Sequence, residues 1–179
     1  MGNEISENAV REGRNSGVEI IESDYSKIPV KYYGAFDVVC SFQVLEHIAD
    51  VKSFLEKAIN LLKKGGKLII NVPNNDSYIK FLDTSFSQFP PHHMGLWNEK
   101  SLSNITKFFP IEFVKILKEP LQKYHISGYN CAISKRIFGN HNFLVRVNNK
   151  ILSYMPHFIY YPFLKYIKGH TILIIFNKI

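Results

Sequence analysis

The chain has 179 residues, a formal net charge of +7, 46% hydrophobic and 14% aromatic content, and two cysteines. These values suit one domain with a real core and exclude a disordered chain or a disulfide-stapled scaffold. No apolar run reaches the roughly 18 residues of a membrane span. The opening MGNEISENAV lacks a signal peptide's cationic lead and apolar core, so the chain reads as cytoplasmic.

Charge is unevenly placed. From Pro120 onward there are Lys123, Lys135, Arg136, Arg146, Lys150, Lys165, Lys168 and Lys178, with no Asp or Glu. Such a stretch suits a solvated face of ordinary helices, or contact with an anionic surface. Cys40 and Cys131 stand alone without metal-type spacing. Cys40 falls inside an apolar strand pattern and is expected to be a buried, reduced thiol.

SENAVREGRNSG predicts a short helix, with Ser6 able to cap it and Gly17 after its end. VEIIESD predicts a short strand, and YSKIPVKYYGA a loop with one turn. FDVVCSF, residues 36–42, has the apolar run expected of a buried parallel strand. Asp50 can cap a helix over 50–64, in which Val51, Phe54, Leu55, Ala58, Leu61 and Leu62 recur at helical spacing. Lys63 and Lys64 would close its last turn, the pair Gly65 and Gly66 would stop it, and KLIINVP would be the next strand. A strand, helix and strand joined this tightly predict a parallel crossover.

A long polar and aromatic loop follows over 74–97. NEKSLSNITKFF then predicts a helix capped by Asn98 or Ser101, and IEFVKILKEP a strand. The apolar, basic region up to Ile167 reads as helical, broken at Pro156 and Pro162. GHTILIIFNK ends the chain as a strand. Alternating strands and helices predict an α/β fold in one domain over 1–179.

The segments FDVVCSFQVLEHIAD and LLKKGGKLIINVPN, with PPHHMGLWNEKSL and the closing GHTILIIFNK, resemble class I S-adenosylmethionine-dependent methyltransferases, in particular the small-molecule, ubiquinone-pathway and glycan-modifying subset. The resemblance implies a Rossmann-like, mostly parallel sheet with an antiparallel last strand, and an aromatic, basic helical insertion at about 125–168. GNEIS resembles the end of that family's second strand. The family's first strand, first helix and glycine-rich turn have no counterpart, so the chain is expected to behave as an N-terminally truncated version, with reduced activity and an incomplete sheet open to self-association.

The resemblance implies S-adenosylmethionine as cofactor and a small-molecule or glycan- or lipid-linked acceptor, with no nucleic acid. A non-catalytic interaction module and a membrane-surface protein using the basic aromatic tail are the alternatives. It places Glu4 at the ribose hydroxyls, Asp24 at the adenine amino group with Tyr25 beside the ring, and Ser41, Phe42 and Gln43 along the methionine part. Asp24 could equally cap the turn after its strand. His47, in the Glu46–His47 pair, and His92 and His93 are the candidates for proton transfer, with structural anchoring as the competing role for each. No metal is expected, because neither a cysteine nor a carboxylate stands at ligand spacing from the His92–His93 pair.

Overall fold

A computed structural model describes residues 1–82, 89–139, 141–154 and 161–179. Its elements in chain order are β1 (Gly2–Glu4), α1 (Glu7–Asn15), β2 (Ile20–Glu22), β3 (Phe36–Phe42), α2 (Val51–Leu61), β4 (Leu62–Pro73), α3 (Glu99–Ser103), β5 (Ile111–Pro120), α4 (Ile126–Phe138), α5 (Asn142–Tyr154) and β6 (Lys168–Lys178). The strands form two sheets. β1 and β2 pair in parallel, and the other four lie in the order β3-β4-β6-β5. β3 and β4 are parallel, while β6 runs antiparallel to both β4 and β5. The α/β class, the shared sheet of residues 36–42, 67–72, 111–117 and 170–177, and the antiparallel last strand are as expected.

The core lies on one face of the larger sheet. Leu68, Ile70 and Val72 of β4 and Ile172, Ile174 and Phe176 of β6 have no measurable exposure. Phe54, Leu55, Ala58 and Ile59 of α2 pack over them with Leu102 and Ile105. Each of the larger of these side chains contributes about 1.5–3 kcal/mol through removal of apolar surface from water. Asp50 caps α2 by accepting a hydrogen bond from Ser53 N at 3.0 Å. Asn98 and Ser101 close a reciprocal capping box on α3.

Two local expectations change. α2 ends at Leu61 and the chain is already extended at Leu62, so Lys63 and Lys64 do not sit in the helix's last turn. Lys63 instead reaches across to the Asp37 carboxylate at 2.8 Å. Gly65 takes a left-handed φ of 76°. A Cβ on Gly66 would come within 2.9 Å of Lys63 O and 3.2 Å of Asp37 O, so glycine is what lets β4 approach β3 here.

The second change concerns β3. Its run was expected to be buried, yet Val38 is 47% and Phe42 57% exposed, and Cys40 is exposed as well. Among the described residues β3 has a hydrogen-bonded neighbour on one side only, and Val38, Cys40 and Phe42 point to the face opposite α2. Burial therefore pushes the Cys40 thiol up only from partial cover.

A second, smaller cluster joins Tyr78, Ile79, Leu121, Ile126, Ala132 and Leu164 where α4 meets the strand ends. The region expected as a helical insertion contains α4 and α5. Its break at Pro156 lies outside the described residues, and Pro162 falls in a short helical turn at Tyr161–Tyr166. Among the described residues no helix is long and apolar enough to cross a membrane.

Candidate active site

The strand ends place the candidate residues. β1 finishes at Glu4, whose Oε1 accepts hydrogen bonds from Ile5 N and Ser6 N, both at 2.8 Å. This carboxylate, rather than the Ser6 side chain, covers the entry to α1; Ser6 occupies the cap position without a side-chain cap bond. Asp24 follows β2 and accepts from Ser26 N at 2.8 Å. Those hydrogen bonds, with Lys27 adding to them, hold its carboxyl below the usual carboxylate range. Tyr25 meets the ring of Phe54 edge-on at 5.1 Å, which docks the end of β2 onto α2. Burial, helped by Asp50 and Asp24, pushes its phenol up.

At the end of β3, Ser41 is buried and its Oγ has no hydrogen-bond partner among the described residues. Phe42 points outward. Gln43 adopts φ 53°, the left-handed region that non-glycine residues rarely enter. Asn71 at the end of β4 holds it there: Gln43 N donates to Asn71 O at 2.9 Å and Gln43 Nε2 to Asn71 Oδ1 at 2.7 Å. Strained backbone fixed by neighbours is a common mark of a functional position. Asn71 was not singled out from sequence, since nothing local marks it as the partner of Gln43.

This turn throws the chain into a short helical turn at Leu45–His47, with Leu45 and Glu46 buried. The loop after β4 returns to it. Met94 N and Gly95 N donate to Glu46 O at 2.7 and 3.2 Å. His47 Nδ1 lies 2.6 Å from the carbonyl oxygen of His92. A carbonyl only accepts, so Nδ1 carries a proton, and in the neutral tautomer this leaves the lone pair on Nε2. Nε2 in turn stands 3.9 Å from Glu46 Oε1.

The rings of His47 and His93 meet edge-on at 4.9 Å. Burial, and then His47, His92 and His170, push the His93 imidazole below its usual value, so it stays neutral. Burial pushes the Glu46 carboxyl up, against its backbone hydrogen bond and His47. The fold therefore brings His47 and His93 together and leaves the His92 side chain exposed, with its carbonyl as the contact. Glu46 joins them. The Glu46–His47 pair was visible in the sequence, but its proximity to His93 depends on a loop 45 residues downstream.

All these groups lie at C-terminal ends of parallel strands or in the loops that follow, where open α/β sheets bind ligands. Residues 1–70 match the family described as methyltransferase domain. A probable S-adenosylmethionine-dependent methyltransferase of Mycolicibacterium smegmatis is 29% identical over 111 residues, which are 62% of this chain and 40% of that protein. The chain thus spans well under half the length of this curated relative.

Two solved structures have the same fold. A possible histamine N-methyltransferase from Thermotoga maritima aligns with a TM-score of 0.66 at 15% identity, over 100% of this chain and 73% of its own. A S-adenosylmethionine-dependent methyltransferase from Archaeoglobus fulgidus aligns with a TM-score of 0.63 at 15% identity, over 99% and 75%. Residues 1–70 thus match the methyltransferase-domain family, and the chain as a whole shares the Rossmann-like fold of these solved methyltransferases.

Proposed function

We propose that the chain binds S-adenosylmethionine along the ends of β1, β2 and β3 and serves methyl transfer to a small-molecule or glycan- or lipid-linked acceptor. The observation that carries this is the buried Ser41 Oγ without a partner, at a strand end whose neighbour Gln43 is held in a strained conformation. The residues fit the cofactor. Carboxylates suit hydroxyl and amino donors, and Glu4 and Asp24 would take the ribose and the adenine amino group. Tyr25 would flank the ring, and Ser41, Phe42 and Gln43 the methionine part. When bound, the cofactor supplies an electrophilic methyl group on sulfur.

The protein's own contribution is placement, because in-line displacement needs donor and acceptor in near-attack geometry. His47 and His93 stand on the acceptor side of this arrangement. His93, neutral at physiological pH, can accept a proton, and His92 fixes the tautomer of His47 through its carbonyl. Titration calorimetry with S-adenosylmethionine tests the reading. We expect saturable binding, weakened about tenfold by Asp24→Ala, the usual cost of one hydrogen bond to a charged group. Absence of binding, or unchanged binding by Asp24→Ala and Glu4→Gln alike, would remove it.

A second reading concerns α5. Phe143, Leu144, Val147 and Ile151 are all exposed, and Phe143, Val147 and Ile151 recur four apart on one stripe. Arg146 and Lys150 lie on the same helix. An apolar stripe with nearby cations suits the surface of an anionic bilayer, and with it an acceptor carried on a lipid. Co-sedimentation with phosphatidylglycerol vesicles should exceed that with phosphatidylcholine vesicles and fall with salt. Equal sedimentation with both rejects it.

A further inference from the structure

We infer that Glu46, His47 and His93 form a binding site for a divalent transition-metal ion. One ligand atom from each, a carboxylate oxygen and two ring nitrogens, lies within 4.8 Å of the others. The ligand atoms of a tetrahedral zinc ion stand about 3.4 Å apart at metal–nitrogen bonds of about 2.1 Å. A small rotation of these side chains closes that gap.

Three further observations point to a cation. Glu46 is 1% exposed, and its Oε2 has no hydrogen-bond partner among the described residues. A buried carboxylate with one oxygen unpaired carries a desolvation cost that a cation beside it would offset. His93 Nδ1 is likewise buried and without a partner. His47 has the arrangement typical of a metal-ligating histidine: its Nδ1–H donates to a backbone carbonyl, which fixes the ring and leaves Nε2 as the ligand atom. No lysine or arginine is ion-paired to Glu46 among the described residues; the group within reach is His47.

Two histidines and one carboxylate bind zinc, iron(II) and their neighbours in preference to magnesium or calcium, which favour all-oxygen sets. Three protein ligands leave coordination positions for water or for an oxygen of a second ligand. On the methyl-transfer reading, and only there, that second ligand is the acceptor. A hydroxyl bound to the ion loses its proton to solvent more readily than a free one. The ion, rather than an imidazole, then prepares the oxygen. The sequence concealed this site because its ligands are split between positions 46–47 and 93, and Glu46 becomes a candidate only once Met94 and Gly95 are pinned to its carbonyl.

The test is calorimetry and visible absorption with zinc chloride and cobalt chloride, on a tag-free chain first stripped with a chelator. The expected result is one ion per chain, with cobalt absorption of a low-coordinate site. Glu46→Gln and His93→Ala should each weaken binding more than tenfold, about as removal of metal-site support does, while His125→Ala leaves it unchanged. Imidazole NMR of the unaltered protein guards against variants that fail to fold: zinc should shift the ring resonances of His47 and His93 and not those of His125. No stoichiometric binding, equal binding by both variants, or shifts at His125 instead would overturn the site. Titration with S-adenosylmethionine is separate, so metal binding without cofactor binding spares this site and sinks methyl transfer. The converse spares methyl transfer alone.

Discussion

The four-stranded sheet and the β1–β2 pair both carry candidate site residues but hold very different reserves. β4 and β6 sit in the middle of their sheet, hydrogen-bonded on both sides, with six fully buried aliphatic or aromatic side chains packed by α2. β1 and β2 are three residues each and, among the described residues, pair only to one another, and α1 contributes one buried residue, Val10. The proposed cofactor carboxylates Glu4 and Asp24 stand on the thin unit, whereas Ser41, Gln43, Glu46 and His47 stand on the thick one. On the proposed reading, the groups for the ribose and adenine are therefore held less firmly than those at the end of β3, and Tyr25 against Phe54 is a main link between the two units.

Amide hydrogen exchange should show the largest contrast. The inner strands can open only with the whole core, whereas a two-stranded ribbon with no second partner opens locally. Amides of β4 and β6 are expected to exchange at least about a thousandfold more slowly than those of β1 and β2, a gap of roughly 4 kcal/mol. Equal protection would mean that the two sheets unfold as one body and the comparison fails.

Cavity mutations sharpen the same contrast. Leu68→Ala removes a fully buried side chain from the middle of the sheet, and should cost about 2–5 kcal/mol by denaturant unfolding. Val10→Ala also empties a buried position, yet it deletes only two carbons, worth about 1.6 kcal/mol in transfer free energy, with a smaller cavity term than at Leu68. A Val10→Ala loss equal to that of Leu68→Ala would show that α1 is bound to the main core more tightly than its contacts indicate.

The β3–α2–β4 crossover was legible because its signals are local: Asp50 before a helical repeat, two glycines after it, and an apolar run on either side. The end of α2 was not, since Leu62 completes the helical repeat but is taken up as extended chain buried beside β3. The exposure of Cys40 was hidden for a different reason. Apolar periodicity reports which residues can be buried, and only the packing partners decide which are. Of the candidate site, the strand-end residues came from the family resemblance. Glu46's burial and its meeting with His93 are tertiary facts that no spacing rule contains.

Tyr78 asks whether the cluster under α4 belongs with the strong region. It is 6% exposed, and burial first, then Glu119 and Tyr124, push its phenol up to about 12. A raised folded value means the neutral phenol is preferred in the native state. Its contribution is intact below pH 10, the ordinary value, and is lost as pH rises toward 12. Between those limits the native chain should lose on the order of 2 kcal/mol relative to Tyr78→Phe, while the two are alike at neutral pH. Parallel alkaline unfolding of both would mean that the cluster opens on its own before Tyr78 ionises.

Asp24 gives the smallest effect, and it probes the weak region directly. Its carboxylate is exposed and is held below its ordinary value chiefly by the hydrogen bonds from Ser26. For a depressed carboxyl the stabilisation is present above the unfolded value, 3.8, and fades as pH falls through the lower folded one. The native chain should exceed Asp24→Ala in stability by a small margin at pH 7, and the two curves should converge in acid below that value. The same substitution weakens cofactor binding about tenfold on the methyl-transfer reading. One variant thus separates the two roles. If Asp24→Ala loses stability but keeps cofactor affinity, Asp24 is a turn cap and nothing more, and the groups at the end of β3 hold the cofactor without it.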